Sequence, residues 1–195
     1  MPSWSEIISS AYGAWRLARF DANGMAYFKL SVEGFWHSFF AAVLLTPAYV
    51  LLVLMRTAGL NMDSAEPVSI AKDPSLAFEA FTYLSGWIIW PITMLFVARL
   101  FGQIQNYAAY IIVYNWGNVI QISLLLPVAM ITHSGILPEG VSAVLSIVIT
   151  LFIFFYLWFL TRTALRVREW AAASIVTIDV LLGMTVSGLS QQLFT

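Results

Sequence analysis

The run Leu151-Phe-Ile-Phe-Phe-Tyr-Leu-Trp-Phe-Leu160 decides the fold, because it is apolar around the whole circumference of any helix it forms. A helix on the surface of a soluble domain keeps a polar side, and this one has none. Extended back to Val141, the stretch is long enough to cross a hydrocarbon core of about 30 Å at about 1.5 Å per residue. Four further stretches meet the same length: about Phe35 to Met55, Ala77 to Leu100, Tyr107 to Ile131, and Trp170 to Phe194. Composition agrees. Of 195 residues, 61% are hydrophobic and 10% charged, with a mean hydropathy of +0.85; soluble domains carry about 25% charged residues. The expected fold class is all-α, a polytopic membrane helical bundle of five transmembrane helices over residues 31–195, with an N-terminal amphipathic interfacial helix and turn over residues 1–30.

The same composition excludes several function classes. Nine basic against ten acidic residues leave no basic field for nucleic acid. With no cysteine there is neither a disulfide framework nor thiolate chemistry. Nothing matches HExxH, a P-loop, GxGxxG or GxSxG. The two histidines, His37 near one membrane edge and His133 in a loop at the other, are too far apart to share a metal. An intramembrane aspartyl protease would need two deep acids, and only Asp179 lies near the middle of a span. The expectation is a non-enzymatic protein with no catalytic residue, cofactor or metal.

Orientation follows from the basic residues flanking the spans. With the N-terminus in the cytoplasm, Arg16, Arg19, Lys29, Arg99, Arg162, Arg166 and Arg168 lie inside, and only Arg56 and Lys72 lie outside. Those two border residues 57–75, read as a loop from Gly59, Asn61, Asp63, Pro67 and Pro74. The C-terminus then falls outside. Arg over Lys, with abundant Ala, points to a bacterial inner membrane, and the lack of an apolar run in residues 1–30 argues that no signal peptide is cleaved. Within residues 4–20, Trp4, Ile7, Ile8, Ala11, Trp15 and Ala18 recur at spacings of three and four, and Ser5, Glu6, Ser9, Ser10, Arg16 and Arg19 fill much of the rest. This element is too polar to span. It should lie along the cytoplasmic interface, Trp4 and Trp15 among the headgroups and Arg16, Arg19, Arg162 and Arg166 facing anionic lipid; packing on cytoplasmic loops or a partner is the alternative.

Inside the spans, Gly34, Ser38, Ala42 and Thr46 form one small-residue stripe, and Asp179, Gly183, Ser187 and Gln191 another, each suited to close packing within the chain. The fourth span should face lipid broadly. Pro47, Pro91 and Pro127 each remove a helical hydrogen bond and can kink their spans. Asp179 costs about 2.5–3.5 kcal/mol at mid-membrane unless it is protonated, paired or wet. The third span offers Tyr110, Tyr114, Asn118 and Gln121 along one face with Asn115 beside them, so an intramembrane polar cluster of Asn115, Asn118, Gln121 and Tyr114 is expected around the acid.

The entry to the third span, Phe101-Gly-Gln-Ile-Gln-Asn-Tyr-Ala-Ala-Tyr-Ile-Ile-Val-Tyr-Asn-Trp116, together with five spans and short loops over residues 30–195, resembles the Yip family of five-span membrane proteins. That resemblance implies a cytoplasmic N-terminus, a short C-terminus on the far side and, from the eukaryotic members, a role in membrane trafficking; it implies no site residues. The N-terminal region is about 30 residues here, shorter than in eukaryotic members. The functional expectation is a scaffold or accessory subunit whose partners are the lipid bilayer and a membrane protein or a second copy of itself. The alternative is a small transporter or channel using Asp179 and the Asn/Gln face of the third span.

Overall fold

A computed structural model describes residues 1–61 and 74–194, and every regular element among them is helical. Helices α1 (Trp4–Ala18), α2 (Val32–Ser38) and α3 (Phe40–Asn61) are followed by α4 (Pro74–Leu100), α5 (Tyr107–His133), α6 (Glu139–Leu165) and α7 (Glu169–Phe194), with short 3₁₀ turns at Ala22–Tyr27 and Ile104–Asn106. Among the described residues, five helical stretches are long and apolar enough to cross a membrane: Val32–Met55, Glu79–Leu100, Ile104–Thr132, Glu139–Leu165 and Glu169–Val186. The helices run on through Pro47, Pro91 and Pro127. α3 and α4 extend into the stretch read as a loop, of which residues 62–73 lie outside the described residues. His133 closes α5 rather than lying in a loop.

α5 is the central helix. It packs against α1, α2, α3 and α6 and touches α4, while α7 lies against α4 and α6. Large side chains fill its seams: Met94 of α4, Ile111 and Trp116 of α5, and Leu160 of α6 are all fully buried. At Gly117 a Cβ would stand 2.7 Å from Leu160 Cδ1, so the glycine lets α5 and α6 approach closely. At one end of the bundle, the Asn106 amide donates to the Leu165 carbonyl at 3.1 Å, satisfying one of the last carbonyls of α6. The helix stops there because Arg166 turns left-handed, at φ 55°. α1 sits at this same end, together with the start of α5 and the end of α6.

α1 begins at Ser3, whose hydroxyl accepts the Glu6 amide at 3.2 Å. It ends at Ala18, and the chain turns away at Phe20, whose φ of 58° is uncommon for a residue with a side chain. Packing holds that conformation, since the Phe20 ring meets Phe159 and Phe152 edge-on at 5.5 and 6.2 Å. The expected single apolar face of α1 is in fact two surfaces. Ser10, Gly13, Ala14, Leu17 and Ala18 are buried, with Ile7 packed beside them. Trp4, Ile8, Tyr12 and Trp15 are exposed, Trp4 at 80%. Proximity explains the sorting: a helix pressed onto protein needs small residues, so Ser10 and Gly13 enter the seam and the bulky rings remain outside. Gly13 and Gly24 meet where α1 crosses the 3₁₀ turn. A Cβ on Gly24 would lie 2.6 Å from the Gly13 carbonyl oxygen, and one on Gly13 would lie 2.9 Å from that of Gly24.

Two further expectations change. α6 is not uniformly open: Ile153, Tyr156, Leu157, Leu160, Ala164 and Leu165 are core residues, while Val144, Ile147, Val148 and Leu151 are exposed. Only its first half has the broadly uncovered surface expected of the whole. The first small-residue stripe follows Gly34, Ser38, Ala41 and Leu45, all buried, whereas Thr46 is exposed and back-bonds to Ala42. A residue-four repeat drifts around a helix of 3.6 residues per turn, so a straight seam steps to i+3.

Candidate functional site

Asp179 stands ten residues into α7, roughly 15 Å from the helix start at about 1.5 Å per residue. Its carboxylate accepts from the Tyr114 hydroxyl of α5, whose oxygen lies 3.1 and 2.9 Å from the two carboxylate oxygens. A hydroxyl carries one proton, so it serves one of these oxygens at a time. Tyr114 is itself placed by stacking between Tyr110, at 5.7 Å, and Trp90, at 5.6 Å. Among the polar residues of the third span, Tyr114 is the one that bonds the acid.

The amides behave otherwise. The Gln121 amide donates to Asn118 at 2.9 Å, closing an i, i+3 pair on α5. Asn115, only 2% exposed, donates to the Ser38 hydroxyl at 2.9 Å, and Ser38 in turn donates to the Phe35 carbonyl at 2.7 Å. Asn115 therefore pins α5 to α2 and is no partner of Asp179. Depth along the helices brings these residues together in sequence, but the hydrogen bonds divide them into three units.

Asp179, Tyr114, Asn115, Asn118 and Gln121 line one cavity of about 320 Å³ between α3, α4, α5 and α7. Its α5 and α7 walls carry Tyr114, Asn118, Gln121, Asp179 and Gly183. The opposite wall is aromatic: Tyr49 of α3 and Tyr83, Trp87 and Trp90 of α4. Tyr49 and Tyr83 stack at 4.5 Å, with the Tyr83 hydroxyl donating to the Ala42 carbonyl and the Tyr49 hydroxyl donating to Glu79 at 2.6 Å. Sequence reasoning missed this wall. Its one signal is Tyr83, Trp87 and Trp90 at helical spacing, which also fits rings turned to lipid. Ser187 and Gln191, the end of the second stripe, have side chains outside the described residues.

At the α1 end the basic residues have distinct roles. Arg16 does not face outward freely: it pairs with Asp21, donates to the Tyr27 hydroxyl at 3.2 Å and lies over the Tyr27 ring at 5.3 Å. The guanidinium, with the Asn23 amide, holds the Asp21 carboxyl below the usual carboxylate range. Arg162 lies 3.4 Å from Glu169 and stacks over Trp158 at 5.6 Å. Arg19 and Arg166 are exposed, as are Trp4 and Trp15. Glu6, read as part of a solvated face, instead bonds His37 at 2.9 Å and ties α1 to α2. Tyr156 adds a buried tie, donating to the Ala14 carbonyl at 3.2 Å.

Comparison of the chain with protein-family models, curated proteins and solved structures finds no match. The membrane-spanning class of the fold rests on the five long apolar helices alone.

Proposed function

We propose that this protein is a non-enzymatic, Yip-like scaffold or accessory subunit of a bacterial inner membrane. Its N-terminus is cytoplasmic and α1 lies along the inner interface. The observation that carries this reading is the divided surface of α1. One side is fastened to the bundle through the glycine crossing, Glu6–His37 and Tyr156–Ala14, and the other presents Trp4, Ile8, Tyr12 and Trp15 outward. Aromatic side chains of this kind suit the headgroup region or a partner's membrane helix. Arg19, Arg166 and Arg168 stand exposed at the same end, as anionic lipid on the cytoplasmic leaflet favours.

Two measurements test it. The chain has no native cysteine, so single cysteines report without background. A cysteine at Ser64 should label from outside with an impermeant reagent and one at Gln103 should not; the reverse pattern inverts the topology. Native mass spectrometry after mild-detergent extraction should then find a stoichiometric membrane-protein partner or a second copy. Their loss on replacing Trp4, Ile8, Tyr12 and Trp15 with serine supports the docking role. A monomer before and after that replacement overturns it.

A further inference from the structure

The cavity between α3, α4, α5 and α7 goes beyond the scaffold reading, and its chemistry is one-sided. Among its lining residues Asp179 is the only one of the Asp, Glu, Lys, Arg and His types. An ionised carboxylate can accept about four hydrogen bonds, and among the described residues Asp179 receives only the single proton of Tyr114. The surroundings add aromatic faces: Trp90 lies 5.6 Å from the Tyr114 ring that holds the acid, and Tyr49 and Tyr83 stack on the same side of the cavity. Trp90, only 3% exposed, and Thr82 also line this cavity.

One acid with spare acceptor capacity, in a space walled by rings, suits a particular class of ligand. A hard metal ion wants six or more oxygens in a shell, and much of this wall offers π-faces and aliphatic carbon. An organic ammonium is matched on both counts, since its charge meets the carboxylate and its alkyl or aryl body lies on aromatic faces. A volume of about 320 Å³ falls at the small end of ligand pockets. We propose that this cavity binds a small organic ammonium ion, with Asp179 as counter-charge and the Tyr49, Tyr83, Trp90 and Tyr114 rings as the cage. The ammonium could be that of a free amine or of a lipid headgroup.

The test uses the full chain in phosphatidylglycerol nanodiscs, titrated calorimetrically with choline, tetraethylammonium and 2-phenylethylammonium. At least one should bind saturably, and Asp179→Asn should weaken it at least tenfold. Choline should exceed its neutral isostere 3,3-dimethylbutan-1-ol by a similar factor if choline is the binder. Gly86→Leu and Gly183→Leu supply a second route. Both glycines line the cavity, and a Cβ on either meets nothing within 4 Å, so the added side chain should occupy the site while thermal unfolding stays near wild type. Weaker amine binding in phosphatidylethanolamine nanodiscs would assign the ammonium to lipid headgroups, and equal binding to a free amine. Failure of all three amines, equal binding of the neutral isostere, or undiminished binding in Asp179→Asn or in the stable glycine variants would overturn the proposal. None of these outcomes bears on α1, so the scaffold reading stands or falls separately.

Discussion

Adding one methyl group at Gly24 and at Gly86 should move stability in opposite directions. At Gly24 the new Cβ would stand 2.6 Å from the Gly13 carbonyl oxygen, 3.0 Å from Leu17 Cγ and 3.1 Å from Arg16 Cβ. The nearest atom is backbone and cannot swing aside. Relief requires α1 to lift from the 3₁₀ turn, and overpacking of that kind costs about 1–3 kcal/mol. At Gly86, inside α4, the same methyl meets nothing within 4 Å. There the gain in helix propensity should dominate, at about 0.5–1 kcal/mol. The two alanine variants should therefore differ by roughly 1.5–4 kcal/mol, Gly86→Ala being the more stable. Thermal unfolding in one detergent, followed by helical circular dichroism, measures the difference. Limited proteolysis of residues 1–20 locates it, because only Gly24→Ala should expose α1 to cleavage. Equal midpoints, or a protected α1 in Gly24→Ala, would refute the close crossing.

Asp179→Asn should leave stability unchanged or raised, whereas Asp179→Leu should cost about 1–2 kcal/mol by stranding the Tyr114 hydroxyl; detergent melts of the pair check this, and equal melts would argue against the bond. Tyr156→Phe should cost about 0.5–1.5 kcal/mol by removing its bond to the Ala14 carbonyl, with faster cleavage of α1 as the second readout. Asp21 has its carboxyl lowered by Arg16 and by the Asn23 amide, so its contribution is full above the ordinary carboxylate range and is lost as pH falls through the lowered value. Melting midpoints measured from pH 7 down to pH 2.5 should show that loss in the wild type and lack it in Asp21→Asn.

The spans were legible because the bilayer imposes one length on every crossing helix, and a run such as Leu151–Leu160 has no other setting. Asp179 was legible for the same reason: a lone acid in an apolar stretch stands out, and depth alone pointed to the third span. Its real partner is fixed by helix rotation, which selects Tyr114 and sends Asn115 to Ser38, 77 residues away. Spacing does not encode that rotation. In α1, Trp4, Ile8 and Ala18 share an apolar character, yet two are left outside and one is buried by the shape of the seat they meet. The cavity wall was illegible because lipid and cavity demand the same residues, and Tyr83, Trp87 and Trp90 satisfy either.

The tie between Tyr156 and Ala14 has a consequence for biosynthesis. α1 is translated first, yet the residue that anchors its carbonyl lies 142 positions downstream. At roughly 5–20 residues per second, ribosomes leave α1 without its seat for about 7–28 s. Over that interval Gly13 and Ala14 wait for a groove that the nascent chain has not yet made. On the membrane-surface placement proposed above, Trp4, Ile8, Tyr12 and Trp15 hold the helix against the leaflet meanwhile, so that it docks by sliding in two dimensions as soon as α5 and α6 have inserted.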